Sequence, residues 1–152
     1  MAGHSPDIKI PHLPHLKAVV ISAAWHPEIC DALVAGAVRG FQAASITNPT
    51  TRTVAGSFEL PLAAQLAFDE GFDLAVIVGL VLRGETPHFD YVCQGVTQGV
   101  MDVSLSRSKP IGFGVLMCDN LEQATARAGL PGSTEDKGYD SALAALSVIN
   151  KG

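Results

Sequence analysis

Along this chain, almost unbroken apolar runs alternate with stretches whose apolar residues recur at helical spacing. That alternation constrains the fold more than any other feature. Lys17 to Ala24 reads KAVVISAA and Asp73 to Leu82 reads DLAVIVGLVL. Continuously apolar segments of this length suit strands covered on both faces, as in parallel sheets. Ile111 to Cys118 repeats the signature, and Thr50 to Ala55 is rich in β-branched residues. Between these runs, Pro27 sits where the first turn of a helix needs no N–H, and Ile29, Leu33, Ala37 and Phe41 then fall on one face, predicting a helix from Pro27 to Ala44. Pro61 to Glu70 has helical composition with Gly71 as a stop, and His88 to Leu105 carries Val92, Val96, Val100 and Val103 at helical spacing. Asn120 with Gln123 has the pattern of a capping box opening a helix that ends near Gly129, and a last helix from about Thr134 to Asn150 buries Leu143, Leu146 and Ile149. Strand and helix alternating in this way predict an α/β three-layer sandwich: a four-stranded parallel sheet flanked by helices, with right-handed crossovers.

A length of 152 residues suits one domain. Ten basic residues against fifteen acidic ones give a net charge of −5, and the basic residues are scattered, so nucleic acid is not an expected partner. The longest apolar run, Leu74 to Leu82, is far short of the roughly 20 residues a membrane-spanning helix needs. The N-terminus lacks a basic region followed by an apolar run and a cleavage site, and three cysteines leave one unpaired, so the expected compartment is the cytoplasm. Cys30, Cys93 and Cys118 have no C-x-x-C spacing and read as buried packing residues. Residues 1–16 read as a proline- and histidine-containing N-terminal segment ahead of a domain at 17–152. No carboxylate cluster accompanies His4, His12 and His15, which are expected to be solvated, and no metal site is expected.

In parallel sheets ligands bind beyond the carboxyl ends of the strands, so the residues that follow each strand are the ones to weigh. Neither a G-x-x-x-x-G-K-[ST] nor a G-x-G-x-x-G motif occurs, which removes support for nucleoside triphosphate and dinucleotide readings. The turn Gly84-Glu85-Thr86-Pro87-His88 is the richest candidate. Gly84 lets backbone approach a ligand, and N–H groups opening a helix hold an anion without any lysine; the alternative is a turn shaped only by Gly84 and Pro87. A histidine side chain ordinarily ionises at about pH 6.5, which suits proton transfer in either direction, so His88 reads as an acid/base or else caps the helix. For Trp25, the sole tryptophan, a stacking platform for a planar ligand competes with ordinary packing. Glu59 reads as an acceptor for ligand hydroxyls or as a helix-start charge. Arg127 and Lys137 taken alone read as surface charges.

Taken together these segments resemble the 6,7-dimethyl-8-ribityllumazine synthases, enzymes of the penultimate step of riboflavin biosynthesis. The resemblance runs from about Ala18 to Ile149 and is carried by SAAWHPEICDALVAGA, VAGSFELPLAAQLA, VGLVLRGETPHFDYVCQGVTQGV, PIGFGVLMCDNLEQATARAG and EDKG. RGETPHFDYV behind a buried strand is its most specific part, and WHPEICD is similar to actinobacterial-type members. The resemblance implies a flavodoxin-like, doubly wound sheet. It implies that 5-amino-6-(ribitylamino)uracil condenses with 3,4-dihydroxy-2-butanone 4-phosphate, releasing phosphate and water, with no metal or redox cofactor.

The same resemblance assigns roles. Trp25 stacks on the pyrimidine, while Ser57, Phe58 and Glu59 meet the ribityl chain and ring. Main-chain groups of Leu80, Val81 and Leu82 line the pyrimidine edge. Glu85 and Thr86 cradle the phosphate and Arg127 supplies its charge, which a guanidinium fork suits. His88 is the acid/base, Phe113 closes over the ring, and Lys137 approaches the reacting end. Phe113, Arg127 and Lys137 are expected to complete the site of a neighbouring subunit. Valine and isoleucine are more usual in the family at Leu80-Val81-Leu82, and threonine at Met117, which is expected just beyond the strand core. Members form pentamers or larger shells. The long connection AGLPGSTEDK from Ala128 to Lys137, stiffened by Pro131, and the loss of backbone donors at Pro11 and Pro14 predict a homopentamer. A non-enzymatic lumazine- or flavin-binding homologue would keep Trp25 and Glu59 but lose the phosphate grip and the proton carrier. Glu85, Thr86, His88 and Arg127 are all present here. A shell-forming scaffold would depend on the outer surface instead.

Overall fold

The computed structural model describes residues 3–149. Three strands stand where the apolar runs are and one on the β-branched stretch: β1 (Ala18–Ala23), β2 (Thr50–Val54, the β-branched one), β3 (Leu74–Leu82) and β4 (Ile111–Cys118). The helices are α1 (Pro27–Ala43), α2 (Leu60–Asp69), α3 (His88–Arg107), α4 (Leu121–Arg127) and α5 (Lys137–Ile149), and a short 3-10 turn, Ser57–Glu59, precedes α2. The sheet order is β2-β1-β3-β4, and every neighbouring pair is parallel. Val20 pairs with Thr51 on one side and Val76 on the other, and Ile77 pairs with Phe113. The result is the expected three-layer α/β sandwich.

Side chains alternate along each strand, and both faces are covered. Ala18, Val20, Leu74, Val76, Val78 and Leu80 face a cluster built on Leu33, Phe41 and Leu146, from α1 and α5. Val19, Ile21, Ala75 and Ile77 face Leu60, Ala64, Phe68, Val96 and Val100, from α2 and α3. Fully burying one such Val, Leu, Ile or Phe contributes roughly 1.5–3 kcal/mol. An exposed ion pair such as Arg52 with Glu70 at 2.7 Å contributes about 0–1 kcal/mol. The two apolar layers therefore hold the fold, and the surface charges are secondary. Small residues let α5 lie close to its neighbours: a Cβ on Gly138 would strike the Leu33 carbonyl, and one on Gly112 would strike the Ser141 carbonyl.

The helix ends follow local chemistry. Asn120 Oδ1 accepts from the Gln123 N–H at 2.9 Å, while Gln123 Oε1 accepts from the Asp119 N–H at 2.8 Å, so the reciprocal cap reaches one residue further back than a standard box. Helix α5 begins at Lys137 and not at Thr134. The N–H groups of Thr134 and Glu135 both donate to the Ala126 carbonyl, and Asp136 pairs antiparallel with Ala128, which holds this stretch extended against the end of α4. Asn150, the expected last helical residue, lies outside the described residues. Met117 stands within β4, opposite Val81, and not beyond the strand core.

The N-terminal segment lies along the body. The Leu13 N–H donates to the Ala44 carbonyl at 2.9 Å, Pro11 is buried, and Ile8, Leu13 and Leu16 pack against the α1 and α5 cluster. His4, His12 and His15 are exposed, with His12 Nδ1 2.7 Å from Ser45 Oγ. Cys30 and Cys118 are buried as expected, but Cys93 is only half-buried, because no element among the described residues covers the face of α3 that carries it with Gln94 and Gln98. No described helix is long and apolar enough to cross a membrane.

Candidate active site

In the order β2-β1-β3-β4 the chain winds outward in opposite directions from β1 and β3, so their carboxyl ends part and leave a crevice. A cleft of about 660 Å³ occupies that position. Four chain segments wall it.

The first segment follows β1. The chain turns sharply through His26, whose backbone is left-handed with φ 52°, and α1 begins at the next residue, Pro27. The buried Cys30 thiol donates to the Trp25 carbonyl at 3.0 Å, and the N–H groups of Ile29 and Cys30 reach the His26 carbonyl at 3.1 and 3.0 Å. Anchoring the backbone inward in this way leaves the indole outside: Trp25 is 66% exposed and lines the cleft. A ring that open is not a packing residue, which favours the platform of the two readings open for Trp25. Burial pushes the Cys30 thiol pKa above its usual value, so the thiol stays protonated and remains a donor.

The second segment is Gly56-Ser57-Phe58-Glu59. It seats on positions that have no side chain. The Phe58 ring lies against α3 at Gly95, where a Cβ would stand 2.7 Å from Phe58 Cε1, and Pro61 lies one helical turn on against Gly99 at 2.9 Å. Ser57 rests over Gly79 of β3. Glu59 is exposed, caps no helix N–H with its side chain, and faces the cleft. The third segment, Leu80-Val81-Leu82, is the end of β3.

The fourth segment is the first turn of α3. His88, Tyr91 and Val92 are spaced three and four residues apart, which places them on one helix face, and all three line the cleft. The His88 N–H donates to Thr86 Oγ1 at 3.4 Å and the N-cap Pro87 makes no side-chain cap, so any capping at this helix start falls to Thr86 and not to the imidazole. Gly84, Glu85, Thr86 and Pro87 form an exposed turn at the rim, immediately before the 20-residue helix whose N-terminal end favours anions.

The sequence-predicted residues thus divide into two groups. Trp25, Ser57, Phe58, Glu59, Leu80, Val81, Leu82 and His88 line the cleft, while Glu85 and Thr86 do not line it and lie in the exposed turn that joins Leu82 to His88. Phe113, Arg127 and Lys137 do not line it within one subunit. Arg127 and Lys137 meet instead at Glu135, with Arg127 Nε at 3.5 Å and Lys137 Nζ at 3.1 Å from its carboxylate. Phe113 stands in the middle of edge strand β4 and is 40% exposed. Sequence reasoning assigned Val92 only to the packing face of a helix and did not single out Tyr91, although the spacing from His88 was there to place both at the site. The left-handed turn at His26 has no sequence signal.

A family model described as 6,7-dimethyl-8-ribityllumazine synthase matches residues 15–152. The chain is 48% identical over 143 residues to a 6,7-dimethyl-8-ribityllumazine synthase of Streptomyces coelicolor, covering 94% of this chain and 89% of the relative. It is 49% identical over 153 residues to the Paenarthrobacter aurescens protein of that name, covering 97% and 94%, and 45% identical over 145 residues to the one from Cutibacterium acnes, covering 95% and 87%.

Proposed function

The chain belongs to the 6,7-dimethyl-8-ribityllumazine synthase family, and we propose that its reaction runs in the cleft between the ends of β1 and β3. The enzyme condenses 5-amino-6-(ribitylamino)uracil with 3,4-dihydroxy-2-butanone 4-phosphate to the lumazine, in riboflavin biosynthesis. The observation that carries the site is the convergence of Trp25, Ser57–Glu59, Leu80–Leu82 and His88 on one crevice.

The chemistry sets what the site supplies. The ring amine adds to the ketone, the carbinolamine loses water, phosphate leaves by elimination to give an enol, the enol tautomerises to a new carbonyl at the former hydroxyl-bearing carbon, and the ribityl-bearing nitrogen closes the ring on that carbonyl with loss of a second water. Each step moves a proton, and His88 gives and takes it as general acid and base. Trp25 stacks on the pyrimidine, and its exposed ring supports this. Glu59 with Ser57 and Phe58 meets the ribityl chain, and the β3 backbone at Leu80, Val81 and Leu82 reads the pyrimidine edge. Glu85 and Thr86 hold the phosphate at the N-terminal end of α3. Holding both reactants in register supplies the largest share of the rate, roughly 7–11 kcal/mol in the best intramolecular cases.

Arg127, Lys137 and Phe113 act in the cleft of a neighbouring subunit, Arg127 on the phosphate, Lys137 at the reacting end, and Phe113 over the ring. Their distance from the cleft of their own subunit supports this, as does the exposure of Phe113 on an edge strand. The assembly is a homopentamer, a reading supported by the long connection from Ala128 to Lys137. The compartment is the cytoplasm, which the three free cysteines suit. The catalytic domain spans 17–152, with 1–16 as an N-terminal segment whose residues Ile8, Leu13 and Leu16 pack against it.

Mixing purified protein with both substrates and following the growth of lumazine absorbance tests the function. A rate well above the uncatalysed condensation is expected. No excess over it would contradict the reading.

A further inference from the structure

The turn from Gly84 to Pro87 is not held by packing. Each of its residues is exposed, and a Cβ at Gly84 would find no neighbouring atom within 4 Å. The 3.4 Å bond from the His88 N–H to Thr86 Oγ1 is long, and the other bonds from the turn to α3, from the Asp90 and Tyr91 N–H groups at 3.0 and 3.4 Å, hold only the carbonyl of its last residue, Pro87. Something else must set where its N–H groups point.

Arg83 is the residue in position to do so. Its N–H makes the last rung of the sheet, to the Cys118 carbonyl at 2.9 Å. Its Nε donates to Asp119 Oδ1, just past β4, at 2.8 Å, and its Nη1 lies 3.5 Å from Asp90 Oδ1 in the first turn of α3. The guanidinium carbon lies 4.4 Å from the ring centroid of Phe89. One side chain therefore ties the end of β3 to the end of β4 and, across the turn, to the start of α3. Lysine cannot reproduce this, because two carboxylates approached from different sides need the planar fork.

We propose that Arg83 is a positioning residue that fixes the geometry of the 84–87 turn and of His88 for the phosphate-bearing substrate, acting through Asp119 and Asp90 and not by touching the phosphate. This rests on the reading of that turn as the phosphate grip. The charge of Arg83 is already engaged by two carboxylates, which separates its role from that of Arg127. Half-exposed ion pairs contribute little to stability, so the effect falls on binding and leaves melting largely unmoved.

The test is steady-state kinetics of the whole protein with Arg83→Met, Arg83→Lys and Asp119→Ala, read as KM for the butanone phosphate and as competitive inhibition by inorganic phosphate. Arg83→Met, which keeps the aliphatic stem against Phe89, is expected to raise both constants about tenfold, the scale of a small displacement of a positioned group, with the KM for the pyrimidine unchanged. Arg83→Lys should fall between it and the parent protein. Asp119→Ala is the decisive variant, and it also serves if Arg83→Met does not fold. Loss of the strut raises both constants, whereas a guanidinium that bound phosphate directly would be freed by the change and bind it more tightly. Unchanged or tighter phosphate binding in Asp119→Ala overturns the inference while leaving the phosphate grip intact. Failure of inorganic phosphate to compete in the parent protein would overturn both.

Discussion

A Cβ on Gly79 would stand 2.6 Å from the Ser57 hydroxyl. At Gly79 strand β3 presents bare backbone, and the turn carrying Ser57, Phe58 and Glu59 rests on it through Ser57. Gly79→Ala forces that turn upward. The expected cost is about 1–3 kcal/mol of stability, typical of overpacking, together with a raised KM for the pyrimidine. Thermal melting and initial rates check it, and a variant with both properties unchanged would mean the turn is not seated as described.

His88→Ala is expected to lower kcat about ten- to a hundredfold, at or below the low end of the 10² to 10⁴ typical of general acid/base groups, because the substrates are still held in register. The imidazole is exposed and caps nothing, so the melting temperature stays where it was. A complete loss of turnover with folding intact would assign His88 more than an assisting role.

Arg127 and Lys137 share Glu135 outside the cleft of their own subunit, and under the proposed shared site activity depends on assembly. Arg127→Ala should raise the KM for the butanone phosphate most. Oligomers reassembled from His88→Ala and Arg127→Ala subunits should regain a fraction of wild-type activity, since some clefts then combine an intact His88 with an intact Arg127 from a neighbour. Absence of recovery in oligomers confirmed as mixed, or a fully active monomer by light scattering, contradicts the shared site.

The buried thiols make stability fall in alkali. Burial raises the pKa of Cys30 and Cys118 above the usual 9.0. Below pH 9 both states hold these protons and the contribution is fully present. Above it the unfolded chain loses protons that the folded chain keeps, and stability declines until the folded thiols titrate too. The slope is at most about 1.4 kcal/mol per pH unit for each thiol. A Cys30→Ser, Cys118→Ala double variant should show a shallower fall in melting temperature between pH 8 and 10, the range that brackets this titration. An unaltered slope would show that these thiols titrate alike in both states.

The layers were legible because burial on both faces demands unbroken apolar strands: KAVVISAA and DLAVIVGLVL admit few other readings. The rim was legible for the same reason, since strand ends locate ligand sites in parallel sheets. Interactions between segments distant in sequence were harder to see. Nothing near Thr134 announces that its N–H will seek the Ala126 carbonyl and delay α5 to Lys137. Nor do Gly95 and Gly99, read along α3, reveal that Phe58 and Pro61 will occupy the space they leave. The roles of Phe113, Arg127 and Lys137 came from family resemblance alone, because no pattern within one chain points to a site in the next.

Trp25 is the only tryptophan in the chain and stands in the wall of the cleft, so the intrinsic tryptophan fluorescence of the protein reports on that site alone. Titrating the protein with 5-amino-6-(ribitylamino)uracil in the absence of the second substrate, and correcting for its absorbance, tests where the pyrimidine binds. Saturable quenching that matches the concentration dependence of the steady-state rate is the predicted result. Full catalytic activity with fluorescence unchanged through saturation would place the reaction elsewhere and contradict the account.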